Sequence, residues 1–194
     1  IAHIKYSSHY HKLIAEDKRN FGNQFVVMRG IFDMCNINAD TPAAKTLRQA
    51  ISNKDAAAKF VEDPAAAFRA HGLDLEPAHM ADFNNFAADD AGFSHIHYLA
   101  NGSVSGTDSD AESKVGCLAC KAGVYPGALI LVGMSYSALM ALTDTSEVII
   151  AIAKVFGINA KKIIHYVHDI AKKITGMGAG ELAKQTCEHF GACS

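Results

Sequence analysis

The chain has 194 residues, 49% of them hydrophobic and 20% charged, with no tryptophan and a formal net charge of −2. This is a globular composition, neither disordered nor collagenous, and without basic–aromatic interleaving it excludes an ordinary nucleic-acid binder. The charge is unevenly spread: residues 1–114 carry eleven Lys/Arg against fifteen Asp/Glu, and residues 115–194 carry seven lysines against five carboxylates. The sequence opens at Ile1, as a processed chain or part of a longer one would.

In chain order, a polar and aromatic stretch comes first, with a helix expected around residues 9–18 and an apolar run at Phe25–Met28. Thr41-Pro42 then reads as a helix opening, the threonine capping and the proline filling the first turn. Asn53 predicts a cap for a second helix through Ala58 and Phe60. Asp63-Pro64 opens a third that stops at Gly72, and Glu76-Pro77 opens another through Met80, Phe83 and Phe86. Residues 101–114 are small and polar and predict a linker. The expected organisation is therefore an N-terminal helical region over 1–100, a linker over 101–114 and a second domain over 115–194.

Within that second domain, Ala122 to Thr143 carries no charge. About twenty apolar residues suffice to span a bilayer, but Gly123, Pro126, Gly127 and Gly133 interrupt this run, so a buried bundle helix is the favoured reading. Asp144 and Glu147 resemble a capping box ahead of a helix that ends at Gly157. Asn159 caps the most regular helix, with Ala160, Ile163, Ile164, Val167, Ile170, Ala171 and Ile174 on one face. Lys161, Lys162, His165, His168, Asp169, Lys172 and Lys173 fill the other. Gly176 ends it, and Glu181 to Phe190 forms the last helix.

Four of the five cysteines bracket this domain: Cys117 and Cys120 at its start, Cys187 and Cys193 at its end. Such bracketing reads as a disulfide framework made in an oxidising compartment. A zinc site is the competing use of the four thiols. The βαβ context of a thioredoxin motif is missing, and Lys121 stands where a haem-attachment motif needs histidine.

The leading Cys117-Leu118-Ala119-Cys120 pair and the trailing Cys187 to Cys193 spacing, with the helix number and domain length, resemble the saposin-like family over residues 115–194. The resemblance implies a four- to five-helix disulfide-stapled bundle with outermost cysteines paired, Cys117 with Cys193, and inner ones paired, Cys120 with Cys187. The family's central third bridge is missing, since residues 121–186 hold no cysteine. It also implies a protein that acts on lipid, by permeabilising membranes or by presenting lipids. A shorter stretch, Lys54 to Phe83 with Asp63-Pro64-Ala65-Ala66-Ala67-Phe68-Arg69-Ala70-His71-Gly72-Leu73-Asp74-Leu75, resembles the nitrile hydratase-like leaders of bacterial peptide precursors.

The pairs His9/His11 and His95/His97 would point to one side in extended backbone and could seed a metal site; solvated histidines are the favoured reading, and no metal or other cofactor is expected. No nucleophile–base–acid set or phosphate-binding loop emerges, so no catalytic residue is assigned and no enzyme is expected. Lys154, Lys161, Lys162, His165, His168, Lys172 and Lys173 are the candidate membrane contacts. Their lysines suit diffuse attraction to anionic lipid, and free histidine titrates near pH 6.5, so mild acid would add charge to that face. The sequence thus predicts an all-α, secreted, membrane-active protein of antimicrobial or toxin-like type. Its acidic N-terminal pro-region would mask the lysines, and its partners would be anionic lipid and, as a further option, its own copies. A non-enzymatic interaction protein and a histidine-based metal binder are the alternatives. Cys35 is left as a buried thiol or an interchain bridge.

Overall fold

The computed structural model describes residues 37–103 and 109–193. The expected helix over 9–18, the Phe25–Met28 run, His9, His11 and Cys35 lie outside these. Among the described residues the chain is all-α, with ten helices and no strand: α1 (Pro42–Ala50), α2 (Lys54–Glu62), α3 (Pro64–Ala70), α4 (Pro77–Ala87), α5 (Ala91–Ala100), α6 (Ser109–Val132), α7 (Tyr136–Met140), α8 (Glu147–Phe156), α9 (Ala160–Ile174) and α10 (Ala179–His189).

Local chemistry starts most of them. Thr41, Asn53, Asp63 and Asn159 each accept a backbone N–H of the first turn, from Ala44, Ala56, Ala66 and Lys161 respectively. Each cap satisfies one of the donors that a helix start leaves unpaired. Prolines stand at the first positions of α1, α3 and α4, where a missing N–H costs nothing. The capping box expected at Asp144 does not form. Helix α8 starts at Glu147 after Ser146, and the Ser146 hydroxyl accepts instead from the Thr143 N–H in the preceding turn.

Helix α6 organises the rest. It runs unbroken through Gly123, Pro126 and Gly127 and begins at Ser109, so it absorbs the last six residues of the expected linker. The two glycines do not break it because α8 fills the space they leave. A Cβ at Gly127 would lie 2.6 Å from Ile152 Cγ1, and one at Gly123 would lie 3.1 Å from Val155 Cγ1. Their flatness lets the two helices approach closely. The lack of charge from Ala122 to Leu129 follows from the same placement, because these residues are buried or half-buried among the helices that pack on α6. By length and composition Ser113–Val132 is also apolar enough to cross a membrane, with mean hydropathy 1.7; 56% of that window is buried inside the protein.

Those partners come from both halves of the sequence. Helices α1, α4 and α5 pack on α6 from the N-terminal side, and α8 and α10 from the C-terminal side. One continuous apolar core results, joining Leu47, Phe60, Phe83 and Ile96 to Leu118, Tyr125, Leu131, Ile149 and Ile163. An aromatic ladder runs through it, from Phe60 to Phe68, Phe83 and Tyr125, with centroid separations of 5.6, 5.9 and 5.4 Å. The core thus crosses the position where the sequence suggested a domain boundary.

Candidate functional surface

Two disulfides tie α6 to the α10 end of the chain: Cys117 to Cys193, with Cα atoms 4.8 Å apart, and Cys120 to Cys187, 6.0 Å apart. This is the pairing that the resemblance implied. It leaves no thiol from these four cysteines for zinc, and it is the kind of chemistry found in oxidising compartments. Among the described residues no three His, Cys, Asp or Glu side chains gather closely enough to hold a metal ion.

Helix α9 buries Ile163, Ile164, Val167, Ala171 and Ile174 against its neighbours α7 and α8. Its other face carries Lys161, Lys162, His165, Lys172 and Lys173, all exposed, with Asp169 the one acid among them. Lys154 is exposed too, but it belongs to α8. None of these five lysines has a carboxylate partner among the described residues. His168 is half-buried, and its Nε2 is enclosed by protein with no hydrogen-bond partner among the described residues.

The acidic N-terminal half is not packed over this lysine face among the described residues. Two of its carboxylates, Asp90 and Asp82, meet α6. Asp90 caps α5 by accepting the Gly92 N–H and also receives Lys121 Nζ at 2.5 Å, an ion pair almost wholly removed from water. Lys121 lies 5.6 Å from the Phe86 ring centroid as well. Asp82 accepts the Tyr125 hydroxyl. Burial first, then that hydrogen bond and the Asp82 charge, push the Tyr125 phenol well above its ordinary range. Tyr166, buried and stacked on His189 at 4.3 Å, is also raised, mainly by burial. Close backbone approach seals the same seam: a Cβ on Gly92 would lie 2.5 Å from the Lys114 carbonyl oxygen, and one on Gly180 would lie 2.7 Å from the Phe86 ring.

His95 and His97 fall on α5, which sequence reading left without an element. Two positions apart on a helix point to nearly opposite sides, so the pair presents no shared ligand face. His97 packs against Phe93 at 5.0 Å between centroids.

Two concavities are open to solvent. One, of about 530 Å³, lies among α1, α2 and α3 and is lined by Gln49, Asn53, Asp55, Lys59 and Asp63 with several alanines. The other, of about 540 Å³, lies between α1, α6 and α8 and is mostly apolar, with Glu147 and Lys154 among its lining. A third feature escaped sequence reading. Of four large apolar side chains exposed among the described residues, Ile130, Tyr136 and Met140 sit at the α6–α7 corner, inside the uncharged run, and Tyr98 lies on α5. The uncharged run was the signal, but its length pointed to burial rather than to a partly exposed end.

No protein-family model, curated protein or solved structure matches this chain.

Proposed function

We propose that this is a secreted, saposin-like protein that works at anionic membrane surfaces and permeabilises them, in the manner of an antimicrobial or toxin-like protein. The observation that carries the reading is the α9 face: four exposed lysines against one exposed aspartate, none ion-paired among the described residues, on a helix held within a disulfide-bridged half. Near an anionic leaflet each lysine contributes about 1 kcal/mol, and salt screens the attraction. The cysteine pairing, the bundle form and the number of helices after residue 108 support the likeness to the saposin family.

The test uses the full chain with vesicles of phosphatidylglycerol and phosphatidylcholine, reading binding and dye release at low and high salt and at pH 5 and 7. Binding that weakens with salt, and that falls roughly a thousandfold (about 4 kcal/mol) when Lys161, Lys162, Lys172 and Lys173 become glutamine, is the expected result. Binding without dye release would leave a lipid-binding protein and remove the permeabilising step. Absence of binding at low salt would sink the reading.

A second reading has its own observation. The N-terminal helices share one core with α6 and bury an ion pair against it. That suits a permanently assembled, non-enzymatic interaction protein, which predicts no vesicle binding under any of these conditions.

A further inference from the structure

We infer that the α6–α7 corner, carrying Ile130, Tyr136 and Met140, is the element that enters the bilayer, while the α9 lysines hold the protein on the headgroups. The inference rests on the membrane reading above and adds the inserting surface to it.

Three observations carry it. First, three of the four large exposed apolar side chains fall within eleven residues of sequence, at 56%, 44% and 41% exposure, around a turn of only three residues between α6 and α7. Second, the corner has little polar cost to insertion. No charged residue lies between Ala122 and Thr143. Its backbone is also largely satisfied from within: the N–H groups of Met134, Leu139, Ala141 and Leu142 bond the carbonyls of Leu131, Ser135, Ser137 and Leu139, and that of Ala138 bonds the Ser135 hydroxyl. Backbone groups already paired are what hydrocarbon tolerates. Third, α7 packs directly on α9, so the uncharged corner adjoins the element whose lysines complement an anionic leaflet. A tyrosine beside two aliphatic side chains suits the interface, where one end of the ring is apolar and the other wet.

A second copy of the chain fits this surface less well. Three half-exposed side chains fall well short of the ~800 Å² per partner that a stable protein interface buries, whereas a bilayer needs only a shallow apolar wedge next to positive charge.

The chain lacks tryptophan, so a single introduced indole reports its own depth. Tyr136→Trp places it at the corner. Tyr98→Trp places it on α5, whose Gly92 adjoins Lys114, sixteen residues or roughly 24 Å along α6 from Ile130. Both full-length variants are mixed with phosphatidylglycerol-containing vesicles whose acyl chains carry bromine. The expected result is a blue shift and quenching for Tyr136→Trp and neither for Tyr98→Trp. Ile130→Ser with Met140→Ser, at unchanged helical circular dichroism, should then weaken partitioning roughly tenfold or more. Vesicle binding with Tyr136→Trp unquenched would overturn the corner as the inserting element and leave the membrane reading standing. No binding by either variant at low salt would overturn both.

Discussion

Lys121 follows Cys120 directly in the sequence and is buried against Asp90, an arrangement with a measurable cost when broken. A charge left without its partner in such a place typically costs 3–5 kcal/mol. Lys121→Met should therefore lower unfolding stability by about 3 kcal/mol. Asp90→Asn on the same background should recover part of that, because it removes the stranded charge and keeps an oxygen for the Gly92 N–H. Denaturant unfolding of the four combinations checks this, and simple additivity would contradict an isolated buried pair. Tyr125 makes a pH prediction. Its folded-state phenol is raised from the ordinary 10.0, so above about pH 10 the unfolded chain releases a proton that the folded chain retains. Stability is then fully present below that pH and declines as pH rises toward the folded-state value. Unfolding midpoints at pH 8 and pH 11 should show the decline, and Tyr125→Phe should flatten it.

At the scale of elements, the nested disulfides contribute unequally. In the chain-entropy model either bridge alone closes a loop of about seventy residues, worth about 4 kcal/mol. Once one is present, the other closes only the short ring through residues 117–120 and 187–193, worth about 3 kcal/mol. Replacing one pair with serines should cost about 3 kcal/mol, and replacing both should cost about 7, more than twice as much. Equal increments in guanidinium unfolding would argue for an enthalpic origin instead. Legibility in the sequence divides along similar lines. The caps of α1, α2, α3 and α9 were readable because a side chain and a backbone N–H two or three residues away decide them. So was the apolar stripe of α9, since its partners all lie on one side. Helix α6 was not readable as one helix. Gly123, Pro126 and Gly127 are local stop signals, and only Ile152 and Val155, distant in sequence, give the two glycines their purpose. Helix α5 was missed because His-x-His suggested an extended pair, while Ile96 and Leu99 alone make a short and ambiguous stripe. The α9 lysines were legible by residue type; the α6–α7 corner needed the fold, because exposure within an apolar run leaves no mark in the sequence.

For the whole molecule, the shared core bears on whether the halves can part. A fragment of residues 115–194 would expose the sides of Val115 and Tyr125 that the N-terminal helices help to cover. It should bind a hydrophobic dye and melt broadly, where the intact chain melts in one cooperative step. A dye-silent fragment with its own sharp transition would instead show that the bridged half folds independently. If the protein does permeabilise membranes, proteolytic removal of the N-terminal helices would carry a stability cost as well as uncover lysines.

The 67- and 76-residue spans of the two bridges also set a schedule. In a chain made from its N-terminus, Cys117 and Cys120 emerge together and must wait for Cys187. At about 5–20 residues per second that interval is roughly 3–14 seconds. During it the two thiols are available to each other and to Cys35, which precedes them in the sequence. Oxidation in that window would produce the wrong pairs first. In that case the yield of native protein would be governed by how quickly early disulfides are reshuffled, and a thiol–disulfide isomerase would raise it more than a stronger oxidant would.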